Sequence, residues 1–171
     1  MKDRSVHILI IFALSEKVNE NTDSIRKLLK SMFYMYLSGT HASAEKKLKI
    51  LSDLISSGQE NKIELGLLLL SATLEAWHFT SFYTTEFGSR IRDYGWQPKC
   101  EEEISNWYET FLEYIVKLIS SNHVVTLKVK SILAEKLRGL WSKAHMHNKI
   151  ETALRTISCN SSWNEGLIAN S

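Results

Sequence analysis

The sequence predicts an all-α protein, and three observations support that fold class. The chain of 171 residues contains a single proline, Pro98, against an average of roughly 5%, and proline is the residue that most often interrupts helices. Apolar residues make up 44% of the chain and charged residues 23%, which is typical of a globular domain. In most segments the apolar residues recur at steps of three and four, the period of an amphipathic helix.

Two helices are predicted before residue 40. The apolar run from Val6 to Leu14 follows a charged start and resembles a short secretory signal, but His7 interrupts it and no small-residue cleavage site follows. We therefore expect it to be the buried face of a first helix. A second helix is predicted from Ile25 to Tyr36, and Gly39 allows the positive φ that often follows a helix end.

Two further helices are predicted between residues 46 and 77. In the third, a stripe of apolar residues faces inward while three lysines are expected outside: Leu48, Leu51, Leu54 and Ile55 against Lys46, Lys47 and Lys49. Gly58 ends this helix. The fourth begins near Asn61, and its segment LGLLLLSATLEAW is apolar nearly all round, which predicts a helix covered on several sides.

Three helices are predicted after residue 100. The fifth begins with Glu101, Glu102 and Glu103, where the helix dipole favours anions, the sixth follows the break SSNH, and the seventh runs from about Met146 to Ile157. Short connections join the third helix to the fourth and the fifth to the sixth, as in antiparallel hairpins. Hairpins in series predict a HEAT-like solenoid, with a compact helical bundle as the alternative. We expect one helical-repeat domain over residues 1–171.

The longest connection, at about residues 80–99, contains the segment TTEFGSRIRDYGWQPK. It holds too many aromatic rings for a solvated loop, so we expect an ordered loop with Tyr94 and Trp96 against the ends of the fourth and fifth helices. The alternative is a recognition loop that contacts a protein partner through Arg90, Arg92, Asp93 and Trp96.

The sixth helix carries a cluster of cations. Lys128, Lys136 and Lys143 fall within about 80° of one another on a helical projection. Such a ridge can contact nucleic-acid phosphates, pair with the acidic fifth helix, or remain solvated. The formal net charge of the chain is only +2, which does not favour nucleic acid as the main partner.

Glu75 and His78 form a Glu-x-x-His pair, the spacing found in di-iron helical bundles. Those sites need a second copy of the motif, which this sequence lacks, so we expect structural roles for both residues and no metal or other cofactor. No glycine-rich phosphate loop and no Gly-x-Ser-x-Gly motif is present in the sequence. Cys100 and Cys159 could form one disulfide, but reduced thiols are expected.

Three segments, YLSGTHAS, EFGSRIRDYGWQPK and AEKLRGLW, in this order and spacing, resemble the helical-repeat region of large bacterial STAND-type P-loop ATPases. The resemblance covers roughly Tyr36 to Ala169. It implies a repeat region that senses a partner for a nucleotide-dependent switch, in a detached or truncated form, because the nucleotide motifs themselves are absent from this sequence.

The expected function is that of a non-enzymatic protein-interaction or sensor module in the cytoplasm, without a membrane segment. A nucleic-acid-binding helical-repeat protein that uses Lys128, Lys136 and Lys143 is the first alternative. A metal-dependent enzyme that uses Glu75 and His78 is the second.

Overall fold

Helices account for the regular structure of this protein. A computed structural model describes residues 3–16, 24–77, 79, 94–121 and 124–161. Within these ranges it contains no strand and seven helices: α1 Asp3–Ser15, α2 Ile25–Ser31, α3 Ala44–Ile55, α4 Glu60–Thr73, α5 Glu101–Ser120, α6 Thr126–Lys143 and α7 His147–Ser161. The predicted all-α class is therefore confirmed, and the order of the predicted helices agrees with the order observed.

The first helix, α1, departs from the prediction that its apolar run is buried. Val6 and Ala13 are buried, but Ile8, Ile11 and Phe12 each expose more than half of their surface. These three residues lie at helical spacing on one side of α1. The predicted buried face is thus wrong for this side of the helix.

Hydrogen bonds between side chains and backbone fix α2 against α1. The Glu16 carboxylate accepts hydrogen bonds from the backbone N–H groups of Ile25 and Arg26 in the first turn of α2, where N–H groups lack partners within the helix. The Arg26 N–H also donates to the Ser24 hydroxyl. The Arg26 Nε donates to the carbonyl of Ala13 at 2.9 Å. The end of α1 and the start of α2 are therefore held together by polar contacts.

The second helix, α2, is shorter than predicted and ends at Ser31 instead of Tyr36. Residues 32–35 continue without helical structure, yet all four are buried. The predicted helix was too long because the apolar pattern shows that residues are buried. The pattern alone does not show whether the buried residues are helical. Gly39 does have a positive φ of 62°, but it lies well beyond the helix end.

The third helix, α3, contradicts the prediction that Lys46, Lys47 and Lys49 all face solvent. Lys46 and Lys49 are exposed, whereas Lys47 is only 2% exposed. Gly58 has a positive φ of 70°, but α3 ends before it, at Ile55 with Ser56 as the C-cap. The next helix, α4, is buried on several sides, as predicted, but it stops at Thr73.

The contacts between helices join both consecutive and alternate members of the chain. α3 packs on α4 and α5, α5 packs on α6 and α7, and α4 packs on α6. Where α5 meets α7, Glu101 contacts His145, just before α7, and Glu109 contacts Lys149 further along both helices. The two helices therefore run in the same direction. In the α4–α6 contact, Glu64 and Leu67 of α4 line a depression with Lys128 of α6, and Glu75, just after α4, contacts Lys136 further along α6. The two helices therefore also run in parallel.

The core is densest around α5, whose aromatic side chains also satisfy the end of α4. Trp107, Tyr108 and Phe111 are almost completely buried. The Trp107 Nε1 donates to the Thr73 carbonyl and the Tyr108 hydroxyl donates to the Glu75 carbonyl, both at 2.9 Å. The last carbonyls of a helix lack partners within the helix, so α5 stabilises the C-terminal end of α4.

Candidate functional site

Non-helical backbone follows α4 at residues 75–77. The Glu75 carboxylate accepts the backbone N–H of Ala76 at 3.2 Å and lies 3.4 Å from that of Trp77. A side chain that bonds its own neighbouring backbone competes with helical hydrogen bonds. This explains why α4 does not continue to Trp77, as the sequence suggested.

Glu75 also forms the main polar contact between this segment and α6. Its Oε2 accepts a hydrogen bond from the Lys136 Nζ at 3.0 Å, and both side chains are largely shielded from solvent. Glu135 lies at the same distance from the Lys136 amine. Burial lowers the pKa of Lys136, but the hydrogen bonds to Glu75 and Glu135 outweigh burial and raise it above its ordinary value.

Trp77 is held against α6 at a glycine. A Cβ atom on Gly139 would lie 2.7 Å from the Trp77 Nε1 and 2.9 Å from the Ala76 Cβ, so only glycine allows this approach. The Lys143 Nζ lies over the Trp77 ring, 5.1 Å from its centroid, within the range of a cation–π contact. Trp77 nevertheless remains 50% exposed.

These residues surround a groove of about 550 Å³ between residues 74–77 and α6, which we call the α4–α6 groove. Arg138 and Ser142 complete its wall together with Glu135. Arg138 is exposed, and within the described part of the chain its guanidinium forms no ion pair. The groove thus presents a half-exposed indole beside an unpaired guanidinium.

The groove brings together residues that the sequence placed in separate hypotheses. Glu75, singled out with His78 as a weak metal ligand, binds Lys136 of the predicted basic ridge, and Lys143 lies over Trp77. Lys128 lies elsewhere, beside a second depression of about 370 Å³ lined also by Leu67 and Ile132. The predicted ridge is therefore divided, because its middle lysine faces Glu75.

Only part of the predicted recognition loop lies within the described residues. His78, Arg90, Arg92 and Asp93 lie outside the described residues. Trp96 is half-buried and stacks on Trp107, with ring centroids 5.6 Å apart, which confirms the expected packing against α5. Tyr94 exposes 42% of its surface, more than predicted.

Backbone pairing fixes the loop end against residues 39 and 40. The Trp96 N–H donates to the Thr40 carbonyl at 3.0 Å, and the Gly39 N–H donates to the Tyr94 carbonyl at 2.9 Å. Gly95 lies between them with a φ of 83°. A Cβ atom there would lie 2.3 Å from the Thr40 nitrogen, so this contact requires glycine.

Sequence reasoning missed Lys47, which lies beneath the Trp96–Trp107 stack. Its Nζ donates to the Tyr34 carbonyl at 3.1 Å and lies 4.7 Å from the centroid of the Trp107 ring. Burial lowers the pKa of Lys47 to about 7. Its position in the sequence already indicated burial, because Lys47 shares a helix face with Leu51 and Leu54, four and seven residues later.

Neither other types of site nor similarity to known proteins assigns a function to this chain. Among the described residues, no three His, Cys, Asp or Glu side chains are grouped so as to hold a metal ion. In the same ranges, each helix is too short or too polar to cross a bilayer. Comparisons with protein-family models, curated proteins and solved structures find no match to this chain.

Proposed function

We propose that this chain is a non-enzymatic protein-interaction module whose binding site is the α4–α6 groove. The observation that carries the proposal is Trp77, a half-exposed indole that packs on Gly139. It lies beside Arg138, whose guanidinium forms no ion pair with another described residue. Tryptophan and arginine are the residue types that most often dominate binding energy at protein interfaces. A ring already held in place also loses little conformational entropy when a partner binds.

The carboxylates of the groove favour binding over catalysis. Glu75 is committed to Lys136 and to the neighbouring backbone, and Glu135 is also bound to Lys136. A general base must reach a substrate proton with its carboxylate, and neither carboxylate is directed to the centre of the groove by these contacts. We infer that both stabilise the wall.

The contacts between helices support a HEAT-like array as the scaffold of this module. In such arrays each helical hairpin stacks on its neighbours, so equivalent helices follow one another in parallel. The parallel α5–α7 and α4–α6 contacts fit this arrangement. The longer connection between α4 and α5 would then be an insertion between two repeats.

The sequence resemblance to STAND-type ATPases extends the proposal. In this view the chain acts in the cytoplasm as the partner-sensing segment of a larger regulatory or defence ATPase. An adjacent reading frame that encodes a phosphate loop, and whose protein product co-purifies with this chain, would support the extension. ATP binding to the isolated chain in calorimetry would contradict it, since the sequence contains no phosphate loop.

An unbiased peptide-display selection against the purified protein tests the proposed function. A variant with Trp77→Leu and Arg138→Glu serves for counter-selection, because both side chains are exposed and their replacement should preserve the fold. We expect enriched peptides that bind the native protein and not the variant. If every enriched peptide binds both proteins equally, the groove is not the binding site.

A further inference from the structure

The charges around the α4–α6 groove are unequally neutralised. Glu75 and Glu135 both bind Lys136, each at 3.0 Å. Arg138 and Lys143 have no carboxylate partner among the described residues, and Lys143 lies over the Trp77 ring instead. Among the described residues, the groove therefore has two positive charges without a carboxylate partner, Arg138 in its wall and Lys143 over the face of its indole.

The accessible apolar surface of the groove comes mainly from Trp77. Leu74 and Gly139 also line the groove but are buried. Half of the Trp77 surface is open to solvent while the ring packs against α6 at Gly139. This open part of the indole is the surface that an incoming apolar side chain would cover.

We propose that the α4–α6 groove binds an acidic segment of a partner protein, with an aromatic or aliphatic side chain on Trp77 and a carboxylate on Arg138. The inference rests on the proposed function and names the chemistry of the partner. A guanidinium binds a carboxylate through two parallel hydrogen bonds, which fixes geometry as well as charge. Lys143 adds a second, less directional attraction for the same acidic segment.

The groove is less suited to nucleic acid. A phosphate backbone brings one negative charge at every nucleotide, and two carboxylates, Glu75 and Glu135, form part of this wall. Lys136 is committed to those carboxylates, and Lys128 lies at a separate depression. A short acidic peptide can place its charges at Arg138 and Lys143 alone, whereas a polyanion cannot avoid the carboxylates.

Fluorescence titration with defined probes tests the inference. The first probe is a short synthetic peptide in which phenylalanines alternate with aspartates and glutamates. The second replaces every acidic residue by lysine, and the third is an oligothymidylate. We expect the acidic peptide alone to bind, and Arg138→Glu to weaken that binding at least about tenfold, as loss and reversal of a charge-assisted contact should.

Lys128→Glu is the matched control, because it makes the same charge change on the same helix outside the groove. It should leave acidic-peptide binding unchanged. Equal binding to the Arg138→Glu variant, or preference for the lysine peptide, would overturn the inference. Oligothymidylate binding that is lost with Lys128→Glu would assign the cations of α6 to nucleic acid instead.

The display selection separates failure of this inference from failure of the proposed function. Enriched peptides that depend on Trp77 and Arg138 but carry no acidic residues would overturn the acidic partner and leave the interaction module intact. The absence of any peptide that depends on the groove would overturn both.

Discussion

Lys47 occupies a position where an apolar residue would normally complete the core. Its amine has one hydrogen-bond acceptor, the Tyr34 carbonyl, and one aromatic neighbour, the Trp107 ring. Burial alone accounts for the lowering of its pKa to about 7 from 10.5, and no charged group contributes. The amine is therefore readily neutral in the folded protein near physiological pH.

This lysine should make stability depend on pH in a predictable direction. Between pH 7 and 10.5 the unfolded chain holds a proton on Lys47 that the folded chain does not hold, so rising pH favours the folded state. The free energy of unfolding should rise by about 1 kcal/mol per pH unit. Urea denaturation from pH 7 to 9, compared with Lys47→Met, isolates the effect, and parallel curves for the two proteins would contradict it.

Gly95 and Gly58 offer a matched pair of substitutions. Both have a positive φ, but a Cβ atom meets the Thr40 backbone at position 95 and nothing within 4 Å at position 58. Gly58→Ala should cost only the conformational penalty, about 1 kcal/mol. Gly95→Ala should cost at least about 2 kcal/mol more, because backbone atoms at 2.3 Å must separate. Equal costs in urea denaturation would show that the loop contact contributes nothing.

At the scale of elements, the Trp96 ring and two backbone hydrogen bonds are among the contacts that attach the segment Tyr94–Trp96 to the core. Trp96→Ala removes the stack on Trp107 and should cost about 2 kcal/mol, below the value for a fully buried tryptophan. Trp141→Ala is the control, since Trp141 is 46% exposed and should cost less than about 1 kcal/mol. Similar losses for the two variants in chemical denaturation would argue that the loop end is not attached by its ring.

Prediction from sequence succeeded where periodicity and burial coincide. In α5, the apolar residues Trp107, Phe111 and Ile115 recur at steps of four, and all three are buried. It failed where burial occurs without a helix, as at residues 32–35, or where a charged residue occupies the buried face, as at Lys47. Residue type does not reveal which lysine faces inward, because a long side chain can bury its amine against a carbonyl and a ring.

The candidate groove could be predicted only in part for a related reason. Sequence patterns identified Glu75, Lys136 and Lys143, but assigned them to two unrelated hypotheses. Their meeting depends on the parallel packing of α4 and α6, a contact between residues about 60 positions apart. Trp77 gave no signal of its own, since its exposure follows the end of α4 and its packing on α6 depends on the absence of a side chain at Gly139.

At the scale of the whole molecule, the parallel register of α5 and α7 determines what the cysteines can do. Cys100 precedes α5 and lies level with the start of α7, because Glu101 contacts His145. Cys159 lies near the other end of α7, about 18 Å further along at 1.5 Å per residue. A disulfide requires Cα atoms within about 7 Å, so the intramolecular bond that the sequence left open is not compatible with this fold.

Mild oxidation of the purified protein should therefore give cross-linked dimers and no internal link. Both thiols are exposed, so they are accessible to a second molecule. Non-reducing gels and peptide mass spectrometry distinguish the products, and a Cys100→Ser variant should still dimerise through Cys159. A monomeric product that contains the Cys100–Cys159 bond would require α7 to leave its place on α5.

The attachment of α7 has a mechanical consequence. This last described helix buries Ile150, Ala153 and Ile157 and packs mainly on α5, with the Lys149–Glu109 ion pair at its edge. α5 is itself surrounded by α3, α4 and α6. Tension on the C-terminal end of the chain would load the α5–α7 contact before any other, so α7 should detach first while the helices before it stay folded. In an optical trap, the first extension step should correspond to the unravelled length of α7 alone.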